Sequence, residues 1–285
     1  MLSRRLVAAL VLAIALWAPA HAAQVSNPAS PTQSTSVAAA VLPNYISGCA
    51  LSNNGLQGLD VAACNARDGG DAVSMSTTVA TTAKALQTAW AVGSSAGCLD
   101  TGAIAASTSY AVWAIQRTDT SVTDFLCSLS FSAPALPTNY TKSRYIGGVR
   151  TDGSSNIISF TQDGDDFWWS TPSADIAAAN PGTAAVTRTL TVPVGVRVKV
   201  YVFTGFSNST VSTPTVYLSD LSNTDVAAAL TGAVTFAVFD NERGGARAAV
   251  WTNTSAQIRS RLTNSASDLT LYITTLGWMD PRGKK

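Results

Sequence analysis

Histidine is all but absent from this 285-residue chain, with His21 the one instance. That residue falls in a segment that reads as an export signal. Arg4 and Arg5 form a basic start, Leu6 to Leu16 an apolar stretch, and Ala20-His21-Ala22 an A-x-A cleavage site. A chain processed there keeps no histidine, which excludes Ser-His-Asp and Cys-His nucleophile activation and histidine-ligated metals. Glutamate is as scarce, with Glu242 alone, so catalysis would fall to carboxylates that are nearly all aspartate, or to Lys or Tyr.

Charge is also short. Only 12% of residues are charged, about half the usual share, and 18 basic against 17 acidic residues leave a formal net charge of +1. No basic patch suited to phosphate neutralisation results, so nucleic acid is not an expected partner. The basic ending from Arg282 to Lys285 reads as a solvated tail. Past the leader no apolar run reaches the ~18 residues of a spanning helix. The leader itself is short for a span; a retained N-terminal anchor is the competing reading.

What is present is 46% hydrophobic sequence, enough for a packed core. Ser, Thr and Asn fill the polar positions. Four cysteines, Cys49, Cys64, Cys98 and Cys127, make an even count, which in an exported chain favours disulfides. Three connectivities exist. Sequence order suggests Cys49–Cys64 and Cys98–Cys127, with loops worth about 3 kcal/mol each in the chain-entropy model. No C-x-x-C spacing supports zinc; in a reducing compartment the four would be buried thiols.

Residues 1–22 are thus a signal peptide or anchor, expected as a leader helix. Residues 23–43, rich in Pro, Ser and Ala, are a flexible arm. From residue 44 to 285 alternation replaces helical periodicity, and the expected class is all-β: a β-sandwich or jelly roll, as one unit or as two packed subdomains of about 44–140 and 141–285. Tyr110–Ile115 and Asp124–Phe131 make a hairpin, and Pro134 and Pro137 end it. Tyr145–Val149 and Ile157–Phe160 flank Asp152-Gly153; Phe160–Gln162 and Asp166–Trp169 enclose Asp163-Gly164. Further strands are expected at Leu190–Val192, Val196–Phe203, Thr215–Leu218, Val234–Phe239, Ala248–Trp251 and Leu269–Leu276. Val196, Val198, Val200 and Val202 share one face, with Arg197, Lys199 and Tyr201 on the other. Ser76 to Trp90 is ambiguous but reads as strand.

Several blocks, in order, carry a resemblance: Tyr45–Gly55, Asp60–Asp68, Ala89–Gly93, Leu99–Gly102, Pro137–Tyr140, Arg144–Gly147, Phe160–Phe167 and Leu276–Gly283. Together they resemble a domain of tail-fibre and other appendage proteins of bacteriophages and prophages, over about residues 44–283. The resemblance implies a structural or adhesive role, a trimeric appendage, and other virion proteins as partners. The leader departs from that pattern, since tail components assemble in the cytoplasm without one.

Gln162-Asp-Gly-Asp-Asp-Phe-Trp-Trp169 stands out. Asp163, Asp165 and Asp166 could ligate calcium, but Asp-Gly reads first as a hairpin tip. Trp168 and Trp169 must point to opposite faces of a strand, so one of them is left for an interface or a sugar ring. Trp113, Trp251 and Trp278 sit in apolar runs and read as core. Paired carboxylates of a glycosidase find poor support, and neither Lys84 nor Lys142 beside Ser143 carries a nucleophile motif. The expectation is a non-enzymatic virion or surface protein without cofactor or metal, a homo-oligomer that attaches to a host-surface glycan, with Trp168, Trp169, Asp163 and Asp165 as candidate contacts. It is located on the virion, or exported if the leader is cleaved. An exported bacterial lectin-like protein and a carboxylate-dependent glycoside hydrolase are the alternatives.

Overall fold

The computed structural model describes residues 42–207, 215–228, 235–238 and 243–284, with backbone alone at 235–238 and 243–244. The leader 1–22, nearly all of the arm, and Glu242 lie outside the described residues. Residues 42 to 285 form one compact unit, and every regular element described in it is a strand. The first half carries β1 (Ile46–Gly48), β2 (Leu51–Asn54), β3 (Gly58–Val61), β4 (Cys64–Arg67), β5 (Ser74–Thr77), β6 (Thr81–Ala89), β7 (Gly97–Leu99), β8 (Ser109–Arg117), β9 (Thr123–Ser128) and β10 (Tyr140–Arg150). Then follow β11 (Phe160–Asp163), β12 (Asp166–Ala179), β13 (Val186–Thr189), β14 (Lys199–Ser207), β15 (Thr215–Ser219), β16 (Thr235–Val238), β17 (Arg243–Trp251), β18 (Gln257–Leu262) and β19 (Thr270–Met279).

The first ten strands make a small sheet, β1-β4-β5, and a seven-stranded one, β10-β8-β9-β7-β6-β3-β2. The expected hairpin is there: β8 and β9 pair antiparallel from Ala111↔Ser128 to Gln116↔Thr123. Within β8, Tyr110–Ile115 is an unbroken apolar run because both faces of the strand are covered. Tyr110, Val112 and Ala114 enter the main core, while Ala111, Trp113 and Ile115 pack with Leu126, Tyr140 and Tyr145 on the other side. The ambiguous Ser76–Trp90 segment is strand, in β5 and β6.

Two disulfides hold this half, Cys49–Cys64 and Cys98–Cys127, at sequence separations of 15 and 29. The sequence-order pairing is the one formed. Such bonds belong to an oxidising, exported environment.

The second half is a jelly roll. Its two sheets run β11-β12-β19-β14-β17 and β13-β18-β15-β16. The pairings nest: β12 with β19, β13 with β18, β14 with β17, and β15 with β16, all antiparallel. One long two-stranded ribbon has been rolled up, and β14–β19 and β15–β18 contacts close it into two layers. Val198, Val200 and Val202 are fully buried between the layers, as their alternation predicts. Both halves contribute to one hydrophobic cluster, with Leu51 and Val149 from the first joined to Phe167, Trp169 and Trp278 from the second.

Some details differ from the sequence reading. Ile157 meets Thr151 in an isolated bridge rather than starting a strand, and residues 190–192 follow β13 instead of forming one. The basic ending is no solvated tail. Arg282 is 4% exposed, its guanidinium donating to Asp165 (2.8 Å) and to the Gly48 carbonyl (3.3 Å), while its own carbonyl accepts from Arg144 (3.2 Å). A buried guanidinium with carboxylate and carbonyl acceptors anchors a chain end far better than a hydrated one.

Candidate functional site

The hairpin of β11 and β12 positions the site. Its two-residue loop, Gly164-Asp165, joins the Asp163↔Asp166 pair, and Gly164 takes φ +60°, the backbone geometry that glycine supplies at a tight hairpin. Along β12 the residues then alternate. Phe167 turns inward and stacks on Trp278 (centroids 5.0 Å, 7° between planes). Trp169 also turns inward, lies 4.5 Å from Trp278, and donates its indole N–H to the Thr191 carbonyl at 2.8 Å. At 5% exposure Trp169 is core and is not available to a ligand.

Trp168 is the outward member of the pair, 38% exposed. Registers across the sheet place it in one row: Trp168 opposite Gly277, Gly277 opposite Tyr201, and Tyr201 opposite Ala249. Gly277 has no side chain, so nothing stands between the two rings. Trp168 stacks on Tyr201 at 4.9 Å with 11° between planes. A Cβ at Gly277 would meet the Phe167 carbonyl oxygen at 2.1 Å, so the close approach of β12 and β19 requires glycine there. The Tyr201 hydroxyl donates to Asp166 at 2.6 Å. Burial first, then that hydrogen bond and the carboxylate charge, push this phenol up to about 12, so Tyr201 stays a neutral donor.

The two rings wall a depression of about 230 Å³ with Arg247, Ala249 and Leu276 at its other sides. Next along β14, Phe203 is 42% exposed and lies across Gly245, whose added Cβ would fall 1.9 Å from the ring. A second recess of about 460 Å³ adjoins at Ala249, bounded by Arg197, Lys199, Asp220 and Trp251. There the Arg197 guanidinium lies 5.2 Å and the Lys199 ammonium 6.0 Å from the Trp251 ring centre, within cation–π range. Trp251, expected as core, instead stands on this outer face opposite Lys199.

The acidic candidates separate. Asp163 is exposed at the hairpin's end. Asp165 is half-buried and held by Arg282 (2.8 Å) and Lys284 (2.7 Å). Burial raises its carboxyl, but the hydrogen bonds and charge of Lys284 and Arg282 outweigh burial and leave it below the usual range. Among the described residues no three acidic, cysteine or histidine side chains gather as a metal would need. Lys84 is fully buried and bonds Asp124 (3.1 Å) and the Ala91 carbonyl (2.7 Å); no serine hydroxyl is among its partners.

Of the four candidate contacts, the structure therefore brings Trp168 alone into an aromatic surface, together with Tyr201, Phe203 and Arg247, which motif reading missed. The alternation of 196–202 put Tyr201 and Lys199 on the outer face. Gly-Gly-Ala-Arg-Ala-Ala in β17 gave no periodic signal for Arg247. No protein-family model matches the sequence, and no curated protein is similar enough to count as a relative.

Proposed function

We propose that this chain is a non-enzymatic attachment module, exported to a cell surface or carried on a phage or prophage appendage, that holds a host-surface glycan on the outer face of its jelly roll. One observation carries the reading: Trp168 is exposed, stacked on Tyr201, and opens on a recess with Arg247. Rings of this kind offer an apolar body to the C–H face of a sugar and a polar handle to its hydroxyls. With its proton given to Asp166, the Tyr201 hydroxyl oxygen is left as an acceptor for a sugar hydroxyl. Non-catalytic binding is supported by the state of the carboxylates, since Asp165 is neutralised by two cations and Asp166 is engaged by Tyr201.

Phe203 and Tyr272, each 42% exposed, lie on the same sheet and favour a second role for it as a contact between copies in a homo-oligomer, with the trimer that the appendage resemblance implies as the first candidate. A glycan array read by tryptophan fluorescence tests the main reading. Wild-type protein should bind at least one surface polysaccharide, and Trp168→Ala should weaken it about tenfold or more, equal to about 1.4 kcal/mol, without lowering the melting temperature. Unchanged binding in Trp168→Ala would sink the proposal, and sedimentation of both proteins separates a lost oligomer from a lost ligand.

A further inference from the structure

The aromatic face carries charge, and among the described residues the charge left over has one sign. Along β14 and β17 three outward pairs follow each other: Lys199 with Trp251, Tyr201 with Ala249, and Phe203 with Arg247. Each end holds a ring beside a cation, and the middle holds a ring beside a gap. Trp251 and Arg247 are four residues apart, about 13 Å at the ~3.3 Å rise of a strand. Arg247 lines one depression, Lys199 and Trp251 the other, and the two share Ala249.

The described acids near this face are already engaged. Asp166 accepts from the Tyr201 hydroxyl. Asp220 pairs with Arg197 and accepts from the Ser222 backbone N–H at 2.9 Å. Among the described residues Lys199 and Arg247 face no carboxylate. In a chain with only 12% charged residues, two cations with no carboxylate partner among the described residues, on adjoining depressions, set a local positive potential that gathers anions from several ångströms away. A neutral saccharide would use the rings and leave both cations idle. Arg247 can grip a planar anion through two parallel hydrogen bonds, and Lys199 acts as a point charge.

We infer, building on the glycan-binding reading above, that the ligand is an anionic oligosaccharide whose carboxylate or sulfate groups are met by Arg247 in one depression and by Lys199 in the adjoining one, while its sugar rings lie on Trp168 and Tyr201. The spacing of the cations suits a short chain rather than a single sugar.

Calorimetric titration with three length-matched probes tests this: an oligogalacturonate, a sulfated dextran oligomer and plain dextran oligomer, each at low and high sodium chloride. At least one anionic probe should bind tenfold or more tighter than plain dextran and lose that advantage at high salt. Which one wins identifies carboxylate or sulfate as the group recognised. The Lys199→Gln/Arg247→Gln variant, checked for an unchanged circular dichroism melt, should fall to the plain-dextran level, while Trp168→Ala should lose all three. Equal binding of all three probes, or full anionic preference in the double variant, overturns the anionic ligand and leaves the aromatic platform standing. Failure of every probe to bind overturns both.

Discussion

Asp280 sits where a carboxylate is least comfortable. It is fully buried, with the Tyr145 hydroxyl donating to one oxygen at 2.5 Å and the Arg282 backbone N–H to the other at 2.8 Å. Burial raises its carboxyl from 3.8 to about 6 against the opposing pull of those donors and of the Arg282 charge. A carboxyl raised in the folded state adds stability while protonated. The contribution is complete below the unfolded value of 3.8 and disappears as pH rises through 6. A shift of that size corresponds to about 3 kcal/mol. Asp280→Asn cannot titrate, so the stability difference between wild type and variant should move by about that amount between pH 4 and pH 7, wild type losing ground as pH rises. Urea unfolding at pH 4, 5.5 and 7 measures it, and a difference flat with pH would show that Asp280 is ionised throughout. At this scale the sequence told which of two adjacent tryptophans would be spare only as a pair. Strand alternation demands that Trp168 and Trp169 diverge, but which one faces the second sheet depends on register with β19, which the local sequence does not contain. Asp280-Pro-Arg282 carried even less signal, since the burial of Arg282 rests on Gly48 and Arg144, far away in the chain.

Among the strands, β6 and β9 meet through a charge. Lys84 and Asp124, 0% and 2% exposed at the side chain, pair at 3.1 Å, and Asp124 also accepts from the Gly93 N–H at 3.2 Å. Burial pulls the ammonium down and Asp124 pulls it back up, the net being a lowered value. Removing one partner strands the other in the core. Lys84→Met or Asp124→Leu alone should each cost about 3–5 kcal/mol, and the double replacement much less than their sum. A urea double-mutant cycle reads this, and additive losses would mean that the pair is not coupled. Strand legibility followed one rule, that periodicity is clear where every inward position is apolar. Val196–Val202 announced itself. In β18 the buried positions Ile258, Ser260 and Leu262 alternate as cleanly, yet Arg259, Arg261 and a central serine hid them from a search for apolar runs. The length of β12 was hidden differently. Pro172 has no N–H to donate, and the chain passes it with a register shift between Trp168 and Ser173, so the strand resumes through Ala174–Ala179 where sequence suggested an end.

For the molecule as a whole, both disulfides lie between residues 49 and 127, and the jelly roll has none. Reduction should therefore weaken the first half by about 3–4 kcal/mol per bond in the chain-entropy model. Non-reduced intact mass should be four protons below the fully reduced value, and dithiothreitol should lower the urea midpoint markedly. A midpoint unmoved by reductant would mean the bonds add nothing to folding. Fold class was readable because short strands recurred with no helical stretch between them. The rolled ribbon was not, because its pairings join the most distant strands first, and nothing local says so.

That nesting also decides when the molecule can become itself. Asp175 on β12 accepts from the Thr275 hydroxyl on β19, 100 residues further on, and β19 is the strand between β12 and β14. Contacts of such reach are slow to form, and until β19 arrives the aromatic row of Trp168 and Tyr201 has no middle. A chain that cannot close early stays loose enough to be exported unfolded, and completes its aromatic row only once β19 has followed.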